Sequence, residues 1–239
     1  MPLRKMEEFA QLPSTDKFRQ NNLSQSATPP IDIIDPDDWR YLDHVLPGLG
    51  AKPSSCKMCP YSHIGQSFCP DYKPENPKIA LLLEAPGATE IIENSPLMGR
   101  AGQLMWEKIT PYANLKRSDF LICNTLRCRP PDNKYPTSYL RRNAENNCRM
   151  YDKYLLDFDP NLFIITYHPA SVFRQLVYLR LIQEDIKKAK DFYEKGYRPL
   201  VLMGDKAVSM VDTTPFKVGK GGLRMWRGHY WEGSWNYGR

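Results

Sequence analysis

Four short apolar runs, each ending in a tight polar or glycine-bearing motif, constrain this chain more than any other feature. They are KIALLLEAPG from Lys78, FLICNT from Phe120, NLFIIT from Asn161 and PLVLMG from Pro199. Each run is apolar without alternation, the pattern of a strand covered on both faces. GRAGQLMWEKITPYA, SYLRRNAENNCRMYDKYLLDF and ASVFRQLVYLRLIQEDIKKAKDFYEKG lie between them and read as helices, and DKAVSMV as a shorter one. In the longest, apolar residues recur every three or four positions and charges occupy the opposite face. Strands alternating with helices predict an α/β fold with a parallel sheet covered on both sides. Ligands of such sheets bind beyond the carboxyl ends of the strands, so EAPG, CNT, TYHPAS and MGD are expected along one rim.

The length of 239 residues suits one good core with a small appendage, and 41% hydrophobic residues exclude wholesale disorder. No apolar run approaches the roughly 20 residues of a membrane-spanning helix. The opening MPLRKMEEFAQLP has charges but no apolar core of a secretion signal, so a thiol-reducing cytoplasmic or nuclear setting is expected. Residues 1–36, rich in Ser, Gln, Asn and Pro, read as an exposed polar arm ahead of one folded domain, residues 37–239. A net charge of +6, from 33 basic against 27 acidic residues, tilts the partner towards an anion. Neither a heptad pattern nor a repeat is present, so a monomer is expected.

Cys56 and Cys59 form CKMC in a Pro- and Ser-rich loop, Cys128 follows the second strand and Cys148 lies in the next helix. A CxxC pair offers two thiolates to one centre, which two distant cysteines can complete. An iron–sulfur cluster, zinc, redox chemistry and ordinary thiols all remain open on spacing alone. Cys69 and Cys123 are spare, and Cys123, inside an apolar run, reads as core.

Taken together, CKMC, LLLEAPGATE, SPLMGRAG, CNTLRCRPPDNKYPT, NNC, TYHPAS and the RG of MWRGHYW resemble the iron–sulfur, thermophile-type family four of uracil-DNA glycosylases. The resemblance runs from about Cys56 nearly to the end. It implies a three-layer α/β/α sandwich around a short, mainly parallel sheet, with a [4Fe-4S] cluster on Cys56, Cys59, Cys128 and Cys148. It also implies catalytic roles for Glu84 and His168. The substrate base would be held by Ala85, Glu90, Leu97 and Asn124, and DNA by Arg100, Arg129, Pro169, Ala170 and Ser171. Arg127 and Lys134 would extend the phosphate track. The implied substrate is uracil in single- or double-stranded DNA.

The residue types suit that chemistry. A stacked base is out of reach, so it must be flipped into a pocket. The carboxamide of Asn124 can donate and accept at once, matching O4 and N3–H of uracil, whereas cytosine presents the reverse pattern. His168 can donate to O2, where negative charge gathers as the glycosidic bond breaks. Glu84 can orient water and offset positive charge on the sugar.

Three departures from the family pattern stand out. Leu97 occupies the place of a stacking Phe and gives up aromatic stacking, worth roughly 1–3 kcal/mol. Leu83 replaces the glycine before the first acid. Finally, TYHPAS precedes VLMGDKA, and moving residues 163–199 behind Arg239 restores the family order. That exchange asks for new crossovers between parallel strands, each of about a dozen residues, and is expected to alter packing around the site while its residue list survives. The Leu97 exchange and the polar arm motivate an alternative: a weak or inactive DNA-binding domain of this type, associated with a viral replication protein.

Overall fold

The computed structural model describes Lys52 and residues 54–149, 152–211 and 227–233; the expected arm, residues 1–36, lies outside them. The four apolar runs form strands β1 (Ile79–Leu83), β2 (Phe120–Asn124), β3 (Leu162–Thr166) and β4 (Pro199–Met203), every residue of which is buried. They are mutually parallel. A short edge strand β5 (Tyr230–Glu232), not anticipated from the sequence, runs antiparallel to β3, and the order across the sheet is β2-β1-β4-β3-β5.

Alternate side chains of each strand feed two cores. On one face Ile79, Leu81, Phe120, Ile122, Ile164 and Val201 pack with Ile182, Ile186 and Ala189 of helix α5 (Val177–Glu194) and with Met105 and Ile109. On the other, Leu82, Leu121, Cys123, Phe163, Ile165 and Leu202 meet Leu155 of α4 (Lys153–Phe158), Ala207 of α6 (Asp205–Val208) and Trp231. The result is the expected three-layer α/β/α sandwich, and the absence of alternation in the strand sequences follows from burial on both sides.

The helices depart from expectation in detail. A helical run follows Gly99, but only α2 (Arg100–Leu104) is α; Met105–Ile109 is a π turn and Thr110–Ala113 a 3₁₀ turn, where Pro111 lacks the N–H that an α-helix would use. The single helix expected over 138–158 is divided into α3 (Ser138–Cys148) and α4. Asp152 sits at the division and turns its carboxylate inward to Arg127. A 3₁₀ turn, Pro169–Phe173, precedes α5, and α1 (Ala88–Ile92) follows β1.

The segment order is accommodated by the connections. The stretch from Tyr167 to Arg198 contains α5 and is ample for the crossover from β3 to β4, which inserts between β1 and β3. β5 pairs with β3, Phe163 opposite Trp231 and Ile164 opposite Tyr230, so the two exchanged blocks abut in space. Packing at the sheet rim is not disrupted: Glu84, Asn124, His168 and Gly204 still converge there.

Candidate active site and cysteine cavity

A cavity of about 720 Å³ opens at the carboxyl ends of β1, β2, β3 and β4. Glu84, Ala85, Glu90, Leu97, Arg100, Asn124, His168, Ala170 and Ser171 all line it. Tyr135, Tyr167, Phe173, Arg174, Gly204 and Asp205 also line it, residues to which the sequence alone gives no role. Only adjacency in sequence to TYHPAS or MGD could have drawn attention to most of them. Pro169 is buried at the start of the 3₁₀ turn and is not among the lining residues.

Asn124 ends β2 with 2% exposure. Among the described residues no side-chain or backbone group is hydrogen-bonded to its carboxamide, which faces the cavity with donor and acceptor unspent. A buried amide in this condition has its donor and acceptor free to pair with a ligand in the cavity, and pairing would relieve the cost of burying them unpaired.

His168 is oriented by its own turn. Its Nδ1 accepts the Ala170 N–H at 3.2 Å, and its carbonyl accepts both the Ser171 N–H (2.9 Å) and the Ser171 hydroxyl (2.7 Å). Burial, aided by the charge of Arg174, lowers its pKa to about 4. The ring is neutral at physiological pH, and with Nδ1 accepting, the proton resides on Nε2. Ser171 thus serves the histidine turn from within the pocket wall.

Glu84 follows β1. Its Oε1 accepts the Lys206 N–H at 3.2 Å. Burial raises its pKa, offset by that backbone hydrogen bond and the Lys206 charge, with Asp205 opposing and Arg141 assisting. Gly204, with φ of 100°, is needed here: a Cβ on it would stand 2.5 Å from Glu84 Oε1, and few L residues adopt that backbone.

Glu90 acts on the pocket's loops. One oxygen accepts the N–H groups of Met98 (3.0 Å) and Gly99 (2.8 Å), the other that of Gly87 (3.1 Å). Three backbone donors occupy the carboxylate, which ties the β1–α1 turn to the Leu97–Gly99 turn; the structure gives it a positioning place in the wall. Leu97 is 4% exposed with φ of 55°, and its carbonyl accepts Trp106 Nε1–H at 2.8 Å. The Leu97 carbonyl lies so close to Gly102 that a Cβ there would be 1.8 Å away, which is why a glycine stands in GRAG.

The basic residues expected on a phosphate track do not form one surface. Arg100 is exposed at the pocket, its guanidinium 4.8 Å from the Phe173 ring, and Lys134 is exposed. Arg127 and Arg129 are 1% and 2% exposed. Arg127 meets Asp71 (2.7 Å), Asp152 (2.8 Å) and the Cys148 carbonyl (2.9 Å); Arg129 donates to Gln66 and Asn133. Buried guanidinium groups engaged in this way cannot reach a phosphate, and sequence gives no warning because the carboxylates that bury Arg127 lie far along the chain.

Cys56, Cys59, Cys128 and Cys148 line a second, enclosed cavity with Tyr61, Leu126 and Ala144. Gly65 passes so close that a Cβ would fall 2.7 Å from that of Cys128. Burial, with repulsion from Cys148, Cys56 and Cys59, raises the Cys128 thiol to about 12 despite Lys52. Among the described residues no three His, Cys, Asp or Glu side chains converge closely enough to hold a single metal ion. Cys69 and Cys123 are buried elsewhere as thiols.

The sheet and its rim define a doubly covered α/β protein with a ligand pocket at the strand ends, where a buried amide, a neutral imidazole and a carboxylate face one space. The family model described as the uracil DNA glycosylase superfamily matches residues 69–186. A type-4 uracil-DNA glycosylase of Archaeoglobus fulgidus is 31% identical over 136 residues, covering 52% of this chain and 68% of the relative. Those of Saccharolobus solfataricus and Thermotoga maritima are 25% and 40% identical over 174 and 60 residues, covering 57% and 25% of this chain and 81% and 31% of the relatives. The chain belongs to the uracil-DNA glycosylase superfamily.

Proposed function

We propose that this chain is a monofunctional uracil-DNA glycosylase, which hydrolyses the N-glycosidic bond of a flipped uracil and leaves an abasic site. The observation that carries the reading is the unspent Asn124 carboxamide in the same cavity as the Nε2–H tautomer of His168 and the Glu84 carboxylate. Asn124 binds O4 and N3–H of the base. His168 donates from Nε2 to O2 as charge develops there, a hydrogen bond that the neutral ring can give because its Nδ1 is occupied by the Ala170 N–H and its proton is on Nε2. Glu84, held by Lys206 N–H, orients the water and faces the cationic sugar. Arg100 and the Ala170–Ser171 turn meet the DNA backbone beside the pocket.

The four-cysteine cavity, whose lining among the described residues holds four thiols and no histidine, offers the all-thiolate donor set that a [4Fe-4S] cluster takes. Cys56, Cys59, Cys128 and Cys148 would hold it, and it would supply structural rigidity to the loops leaving β2 and α3. The reaction is carried by the residues of the other cavity. Among the described residues no helix is long and apolar enough to cross a membrane.

The test is incubation of the protein, purified with its iron–sulfur cluster intact as judged by the visible absorption of iron–thiolate centres, with end-labelled DNA containing one uracil, followed by alkaline cleavage. Strand scission by the wild type and its loss in His168→Ala are expected. Tight DNA binding without scission, unaffected by Glu84→Gln and His168→Ala, would replace this reading with a non-catalytic DNA-binding domain.

A further inference from the structure

Tyr135 has no part in the reaction as derived above, yet it stands where the two cavities meet. Its ring lines the pocket and also packs on the cysteine-bearing core of Cys59, Cys128 and Cys148. Its hydroxyl donates to Glu145 Oε1 (2.9 Å), and Arg141 pairs with the same oxygen (2.8 Å). Glu145 and Cys148 share helix α3, one turn apart. On the other side the Tyr135 oxygen lies 2.7 Å from the hydroxyl of Thr125, which in turn donates to the Glu84 carbonyl (2.5 Å).

Proton counting shows what this chain of contacts does. Three O···O contacts are served by two hydroxyl protons. A phenol is protonated at neutral pH, and its proton is accepted by Glu145 Oε1 and shared with the Thr125 oxygen 2.7 Å away. The Thr125 proton goes to the Glu84 carbonyl. The Glu84 carbonyl is otherwise held by Leu126 N–H at 3.1 Å. Loss of the phenol oxygen therefore removes the donor to the Thr125 oxygen, loosening its hold on the Glu84 carbonyl, and leaves Glu145 one donor short.

We infer that Tyr135 is a positioning residue for Glu84: it anchors the end of β1, through Thr125, to the helix that carries Cys148. Lys206, whose N–H holds the Glu84 carboxylate, also places its ammonium 5.8 Å from the Tyr135 ring, so backbone and side chain of Glu84 are both referred to this tyrosine. The inference rests on the glycosylase reading for the role of Glu84, but the contacts can be tested without it.

The experiment compares wild type, Tyr135→Phe, Thr125→Val, Thr125→Ser and the Tyr135→Phe/Thr125→Val pair, each purified with its chromophore intact. Amide hydrogen exchange at Glu84, Ala85, Gly87, Thr125 and Leu126 is read alongside kcat and KM on uracil-containing DNA. Tyr135→Phe and Thr125→Val are each expected to speed exchange at those amides about five- to tenfold, the worth of one net hydrogen bond. The visible spectrum should be unchanged, kcat should fall by a similar factor at constant KM, Thr125→Ser should behave as wild type, and the pair should lose no more than either single change. Unchanged exchange in Tyr135→Phe, or fully multiplicative losses in the pair, would overturn the inference. Because exchange is measured without substrate, an inactive wild type would remove the glycosylase reading while this result still stood on its own.

Discussion

His168 and Ala170 are joined by a hydrogen bond of 3.2 Å in which the imidazole Nδ1 accepts the backbone N–H. That contact fixes the tautomer, and with the pKa lowered to about 4 by burial and by Arg174 it makes His168 a neutral donor over the whole physiological range.

The pH dependence of the reaction should reflect this. Glu84 works as a carboxylate and its pKa lies above the ordinary 4.5, so the rate is full above that raised value and falls as pH drops through it. In Glu84→Gln the limb should vanish, and the residual rate should break near pH 4 as His168 gains a proton. His168→Ala should reduce kcat by about 10²–10³-fold. Rate profiles of the three proteins check this, and a break near 6.5 in both His-containing forms would contradict it.

Glu84 should also weigh on stability. The folded protein binds its proton more tightly than the unfolded chain, so stability falls as pH rises from the unfolded pKa through the raised folded one. At pH 7 Glu84→Gln should therefore stabilise the protein, by about 0.5–2 kcal/mol as for other relieved active-site groups. The gain should shrink towards pH 4, where the carboxyl is protonated in both states. Thermal melts at the two pH values measure it.

Glu90→Ala removes the acceptor of three backbone N–H groups that tie two pocket loops together. A stability loss of about 1–3 kcal/mol is expected for donors left without their charged partner, with a fall in kcat/KM as the Leu97 turn loosens. Glu90→Gln should recover part of both, since one of its two terminal atoms still accepts. Urea unfolding and steady-state kinetics are the measurements.

Arg127→Lys should be far from conservative. The guanidinium serves Asp71, Asp152 and the Cys148 carbonyl together from a position with 1% exposure, a geometry that one ammonium cannot reproduce. Breaking such a buried set is expected to cost about 3–5 kcal/mol. Because it clasps the residues beside Cys128 and Cys148, an iron–sulfur cluster held there, followed by its visible absorption, would also be lost more readily on chelation. Denaturation and the decay of visible absorption report these separately.

Much of this molecule was legible in its sequence. The unbroken apolar runs announced strands covered on both faces, since a strand with one wet face would alternate. Parallel strands deliver their following loops to one rim, so Glu84, Asn124 and His168 could be grouped without knowing which strand lies beside which. What depended on tertiary structure was every feature decided by a distant neighbour. β4 entered the sheet between β1 and β3, and β5 closed its edge. A sequence records the period of an element but not its partner. The two arginines of LRCRP read as surface charge until Asp71, 56 positions away, and Asp152, 25 positions away, were seen to bury Arg127. Glu90, expected to hold the base, is also the acceptor of three backbone N–H groups, and Tyr135, to which the sequence gives no role, reaches Thr125 and Glu145 through its hydroxyl. Local pattern determined the strands and where their ends would gather. Desolvation and hydrogen-bond satisfaction, which depend on the whole packed chain, decided which of the gathered side chains remained free to act.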